Sequence, residues 1–251
     1  MLNFKTFFLF AFLILSACTS RKNILYFNDI EKMRGSDSLA NLSLITIEPG
    51  DILQITISTI NRDVAALFNP LPNTGNGQAA APGYLVDSEG NIELPLVGKV
   101  YVKNKTTEAI NSDVKIALAK SLKNVFVATR LLNFRISVLG DVARPGNYSI
   151  SNEKVSILEA LSMAGDANLT ARRNDVLLIR EKEGKKQYAS IDLSNSKVLS
   201  SPYYYLTNND VIYVKPGVNR VIANSTGFQL LPTIFGAISL LLVIYTTTIK
   251  K

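Results

Sequence analysis

The sequence predicts an α+β protein: two small α+β domains followed by a C-terminal transmembrane helix. Three observations lead there. Short runs with period-two alternation, such as Ile52-Leu53-Gln54-Ile55-Thr56-Ile57 and Phe134-Arg135-Ile136-Ser137-Val138, mark half-buried strands. Two helical patterns interrupt those strands, one an apolar stripe after Thr106 and one a capping box at Ser156 and Glu159. A final apolar run, Gly227 to Ile249, has the length of a membrane span at about 1.5 Å per residue across roughly 30 Å of hydrocarbon.

At the other end, nine apolar residues from Phe7 to Leu15 follow Lys5 and lead into Leu15-Ser16-Ala17-Cys18. The run is too short to span a bilayer and reads as a signal-peptide core with a small-residue cleavage site. A cysteine directly after the small residues looks like a bacterial lipobox, in which the thiol is acylated and the chain cut before it. Residues 1–17 are then the signal peptide and Cys18 the lipidated terminus of a polar tether, residues 18–43. An ordinary secretory signal or an uncleaved anchor are the alternatives. No aspartate follows Cys18, only Thr19-Ser20, so outer rather than inner membrane is the expected address.

Composition narrows the chemistry. The full chain carries 27 Lys+Arg against 20 Asp+Glu, and losing Lys5 with the signal leaves 26 against 20, a mature charge near +6. The basic residues are scattered, with no aromatic stacking platform, which argues against nucleic acid. Cys18 is the single cysteine, so no intramolecular disulfide can form. There is no histidine, which removes a Ser-His-Asp or Cys-His nucleophile, a histidine base and a His-ligated zinc. The expectation is no catalytic residue, no metal and no cofactor. An enzyme built on paired carboxylates among Asp51, Asp87, Glu89 and Glu93 is the remaining catalytic reading, and such turn acids ordinarily stabilise turns.

The first unit, residues 44–132, opens with the turn Pro49-Gly50-Asp51, where proline presets one angle and glycine takes positive φ. Asn69 to Gly83, rich in Pro, Asn, Gly and Ala, is a loop long enough to suggest a partner surface. A hairpin turning at Asp87 to Asn91 precedes Pro95 and Gly98. Thr106 caps a helix with Glu108 in its first turn and Ile110, Val114, Ala117, Leu118 and Leu122 along one face. A strand from Val125 to Ala128 completes the unit.

The second unit, residues 133–217, starts with the alternating strand to Leu139 and turns at Gly140 and Pro145-Gly146. The helix capped at Ser156 stops at Gly165. Strands at Val176 to Arg180, Tyr188 to Leu193 and Leu206 to Val214 follow. Strands, one short helix and more strands make a β-grasp-like domain.

Four stretches in order resemble a known family, the polysaccharide export lipoproteins of the outer membrane (the Wza type). They are Pro49-Gly50-Asp51-Ile52-Leu53, Gly90-Asn91-Ile92-Glu93-Leu94-Pro95-Leu96-Val97-Gly98, Val138 to Tyr148 with its Gly140, Pro145 and Gly146, and Ile157 to Asp166 with its Gly165. Two departures stand out: Asp166 replaces the usual second glycine of the helix end, and the late Gly-Asp turn reads Asn209-Asp210. The resemblance implies an export domain plus an SLBB β-grasp domain, assembled as a homo-oligomeric ring that exports capsular or extracellular polysaccharide. It also implies a location at the outer membrane with domains in the periplasm, and an inner-membrane copolymerase and tyrosine kinase as partner.

Residues 218–251 hold the last helix. In the family such helices ring a pore, and Gln229, Thr233, Gly236 and Thr247 fall on one small, polar arc as candidate pore-lining residues. A plain anchor is the alternative there. For the whole chain the alternative is a monomeric glycan-binding outer-membrane lipoprotein.

Overall fold

The computed structural model describes residues 25–29, 45–60, 65, 68, 83–182, 184–217 and 226–249. Its first sheet is antiparallel with strand order β2-β1-β5, where β1 is Ile52–Ser58, β2 Tyr84–Leu85 and β5 Phe126–Leu131. The six paired positions of β1 and β5 run from Leu53↔Leu131 to Ser58↔Phe126, so Ile55, Ile57 and Val127 face one core. A separate hairpin joins β3 (Asn91–Leu94) to β4 (Gly98–Tyr101).

Helix α1 (Thr107–Leu118) forms where its cap predicts. The Thr106 side chain accepts from the Ala109 N–H at 3.2 Å, and Glu108 sits in the first turn. Ile110, Val114 and Leu118, three and four residues apart, are the buried face. They close a core with Ile47, Leu53, Ile57, Phe68, Ile92 and Leu94.

The second sheet is mixed, in the order β7-β6-β10-β8-β9. The strands β6 (Arg135–Gly140) and β7 (Gly146–Ser149) form a hairpin, and β8 (Ala171–Lys182) and β9 (Lys185–Ile191) form another. The last strand, β10 (Val211–Pro216), inserts between them, parallel to β6 and antiparallel to β8. A parallel pair needs a long crossover. Helix α2 (Ile157–Met163) lies on that path and buries Ile157, Ala160 and Leu161 against the sheet.

Both ends of α2 follow from its sequence. The Ser156 hydroxyl accepts from the Glu159 N–H while the Glu159 carboxylate accepts from the Ser156 N–H at 2.7 Å, a complete capping box. At the other end the Gly165 N–H donates to the Ser162 carbonyl and the Asp166 N–H to the Leu161 carbonyl, a Schellman closure. Gly165 has φ +75°, and Asp166 follows it into the left-handed region at +73°. The departure at Asp166 therefore keeps the backbone conformation that glycine would provide. Asn209, at φ +63°, does the same in the late turn.

The α+β expectation holds, but its last element is corrected. Helix α3 (Thr226–Ile249) forms, yet among the described residues no helix is long and apolar enough to cross a membrane. Pro232 sits inside it, and Gln229, Thr233, Gly236 and Ser239 dilute its apolar residues. The unbroken apolar stretch near its end is only Leu240 to Ile244. The transmembrane assignment of Gly227 to Ile249, and the second membrane attachment expected from it, are withdrawn. None of the described side chains of α3 packs into either core; Leu231, Ile234, Phe235 and Leu241 are all exposed.

Candidate functional site

The turn that carries the first family motif lies where the two units meet. In Glu48-Pro49-Gly50-Asp51 the Asp51 N–H donates to the Glu48 carbonyl at 3.1 Å, with Gly50 at φ +90°. This is a type II turn, for which Pro49 and Gly50 are the suited central residues. Asp51 Oδ2 accepts from the Glu48 N–H at 2.9 Å, as a turn-stabilising aspartate should. Its other oxygen, Oδ1, accepts from Asn208 Nδ2 of the second unit at 2.7 Å.

A second asparagine, Asn133, and the other end of the Asn208 amide complete the junction. Asn133 Oδ1 accepts from the Ile52 N–H at 2.8 Å, and its Nδ2 donates to the Gly50 carbonyl at 3.0 Å. Asn208 Oδ1 accepts from the Arg135 N–H at 3.0 Å, so one amide ties the first unit's turn to the second unit's first strand. Leu131 packs against both cores. Burial pushes the Asp51 carboxyl above the ordinary range, opposed by the hydrogen bonds from Glu48 and Asn208.

Two residues on from Asn208, Asp210 is fully buried and pairs with Arg180 Nη2 at 2.7 Å. Asp210 also accepts from the Thr207 N–H at 2.8 Å, which closes the late turn. Two family-like turns, Pro49-Gly50-Asp51 and Asn209-Asp210, thus converge on one hydrogen-bonded seam.

Beside the seam a cleft of about 440 Å³ opens between the units. Ile47, Leu131 and Phe134 supply apolar wall, and Glu108, Arg130 and Lys154 supply charge. Hydrogen bonds at the start of α1, from the Glu108 N–H first and then the Thr106 side chain, hold the Glu108 carboxyl below its usual range.

The remaining sequence-predicted motif residues lie in turns and at strand ends. Gly140, at φ +93°, lies where a Cβ would stand 2.1 Å from the Val214 carbonyl oxygen. That close approach lets β6 and β10 pair, and the Asp141 N–H then donates to the same carbonyl at 2.8 Å. At Gly90 a Cβ would meet the Lys103 side chain at 2.3 Å. Pro95 and Gly98 flank the β3–β4 turn, and Gly146 begins β7 with open space around it. Pro145 directly precedes that strand.

The candidate acids do not converge. Asp51 is in the seam, whereas Asp87 accepts from the Glu89 and Asn91 N–H groups of its own turn at 2.9 and 2.8 Å. Glu89 makes an exposed ion pair with Lys99 at 3.7 Å. Among the described residues no three His, Cys, Asp or Glu side chains group as metal ligands. Cys18 lies outside the described residues, as does most of the Asn69–Gly83 loop. Gln229, Thr233 and Gly236 are exposed on α3, and the Thr247 side chain is outside the described set.

Sequence reasoning missed Asn133, Asn208 and the buried Arg180–Asp210 pair. Asn208-Asn209-Asp210 carried the only signal, a turn composition next to a strand.

Comparisons with known proteins meet on the same two units. Residues 40–132 match the family described as polysaccharide biosynthesis/export protein, and residues 134–214 match the SLBB domain. The EPS I polysaccharide export outer membrane protein EpsA of Ralstonia solanacearum is 31% identical over 192 residues, covering 71% of this chain and 49% of that protein. Its namesake in Ralstonia nicotianae is 30% identical over 161 residues, covering 60% of this chain and 41% of that protein. The chain thus spans about half the length of the curated relatives it matches, or less. With its export and SLBB units in family order and joined by their own motif turns, the chain belongs to the polysaccharide export protein family.

Proposed function

We propose that this chain is a subunit of an outer-membrane outlet for capsular or extracellular polysaccharide, assembled as a ring of identical copies and doing no chemistry of its own. The observation that carries the reading is the Asp51–Asn208 seam, where the export and SLBB motifs bond each other. A ring around a polymer path needs subunits whose domains hold a fixed angle, and buried hydrogen bonds between domains supply that. Acylated Cys18 anchors the chain at the outer membrane, with residues 44–132 as the export domain and residues 133–217 as the SLBB domain, both in the periplasm. An inner-membrane copolymerase with its tyrosine kinase is the partner that delivers the polymer.

Deleting the gene should abolish surface polysaccharide, with a wild-type copy restoring it. Unchanged surface polysaccharide would overturn the proposal.

A monomeric glycan-binding lipoprotein is the second reading, and the cleft of about 440 Å³ favours it. Sizing of detergent-extracted protein separates the two: several subunits per particle fit the outlet, and one subunit fits the binder.

A further inference from the structure

Residues 25–29 lie on the second domain. The Phe27 N–H donates to the Leu193 carbonyl at 3.3 Å and the Asn28 N–H to the Ser194 carbonyl at 2.7 Å. Asp29 accepts from the Ser196 N–H at 2.9 Å and the Ser196 hydroxyl at 2.6 Å, an acid at the start of the 3-10 turn Ser196–Ser200. The Tyr26 hydroxyl donates to Asp166, and its ring lies against the Arg173 guanidinium, 5.1 Å away.

Arg173 makes this a built site rather than a chance contact. It is 3% exposed, donates to the Ala167 and Asn168 carbonyls, and leaves Nε without a partner among the described residues. Tyr26 covers one face of that buried cation, where the ring quadrupole is favourable. Tyr26 and Phe27 both pack against the second core, and Asp166 is the residue that departs from the family's glycine.

We propose that Tyr26–Asp29 is a clasp that ties the acylated N-terminus to the second domain, so that the membrane holds that domain near and the first domain away. The proposal rests on the acylation of Cys18 put forward above. From Cys18 to Tyr26 is eight residues, which fully extended reach at most roughly 28 Å. The described residues of the first domain start at Ile45, after the clasp in the chain. An unclasped tether would let either domain approach the bilayer; a clasped one selects the Asp166–Arg173 surface.

The test uses full-length protein extracted from outer membranes and reconstituted in phosphatidylethanolamine and phosphatidylglycerol vesicles that carry a fluorescent acceptor lipid. A donor dye goes on Leu169→Cys or on Ile116→Cys, both exposed positions in the second and first domains. Energy transfer to the bilayer should be several-fold stronger from position 169. Replacing Tyr26 and Asp29 together by Ala should remove that difference and leave the circular dichroism unchanged. Equal transfer in the parent protein, or a difference that survives the double substitution, overturns the clasp.

A second measurement does not depend on the lipid. Asp29→Cys with Ser196→Cys should form a disulfide within one chain, seen as a faster monomer band. No disulfide, or a disulfide-linked dimer, overturns the clasp as drawn. Failure to float with vesicles while that monomer disulfide forms would sink the acylation reading, and the membrane role of the clasp with it.

Discussion

Asn208 donates its side-chain amide to Asp51 at 2.7 Å across 157 positions of sequence, and both residues belong to motif turns. The carboxylate is 4% exposed, so the bond is shielded from water and its partner is hard to replace. Asn208→Ala should leave one Asp51 oxygen without its amide donor, at a cost of about 1–3 kcal/mol. Urea unfolding of the variant should show that loss in the midpoint. A midpoint equal to the parent's would mean that water substitutes freely for Asn208 and that the seam is not rigid.

Two glycines of one motif should behave oppositely. Gly140→Ala adds a methyl 2.1 Å from the Val214 carbonyl in a left-handed backbone, where neither neighbour is a flexible side-chain end. The expected outcome is loss of the β6–β10 pairing, several kcal/mol, and poor recovery of folded protein. Gly146→Ala meets open space and should change the unfolding midpoint little. Comparable thermal stability of the two variants would contradict this account.

What was legible in the sequence was local. The capping box at Ser156 and Glu159, the Pro49-Gly50 turn, the buried stripe of α1 and the alternation of Phe134, Ile136 and Val138 each depend on residues within one turn or one strand of each other. Asp51 was legible only as a turn acid, because its second oxygen is satisfied by a residue that no spacing rule connects to it. Tyr26 and Asp166, 140 positions apart, escaped for the same reason. The membrane-span reading of the last helix weighed apolar content along the chain and gave too little weight to Pro232, Gln229 and Gly236 interrupting it.

The Arg180–Asp210 pair should be the more sensitive half of the seam. Asp210 is fully buried and Arg180 nearly so, and the same carboxylate holds the Thr207 N–H. Asp210→Ala strands a desolvated guanidinium and an amide together, and is expected to cost about 3–5 kcal/mol. That exceeds the Asn208→Ala cost. Denaturant titration of both variants in parallel checks the ranking, and the reverse order would mean the pair is hydrated in solution.

The Tyr26 phenol supplies a pH signature. Burial, and next its hydrogen bond to Asp166, push its pKa from 10.0 up to about 12. A folded value above the unfolded one means the contribution is whole below about pH 10 and lost as pH rises through about 12. The clasp should therefore be indifferent to pH across the neutral range. In an ultraviolet phenolate titration, Tyr26→Phe should lack a late-titrating component present in the parent. Loss of a component that titrates near the ordinary 10.0 instead of a late one would place Tyr26 in water rather than under Arg173.

Helix α3 gives the last prediction. Its described side chains are exposed and none enters either core, so it contributes nothing visible to the stability of the two domains. A chain ending at Gly217 should keep both sheets and unfold at the parent's temperature. The same truncation should change solution behaviour, because Leu230, Leu231, Ile234, Phe235, Ile238 and Leu241 form an apolar surface that water disfavours. Sedimentation of the truncated protein should show weaker self-association than the full chain. A lowered unfolding temperature would mean that the helix packs on the domains after all. Identical sedimentation would mean that its apolar face takes no part in assembly.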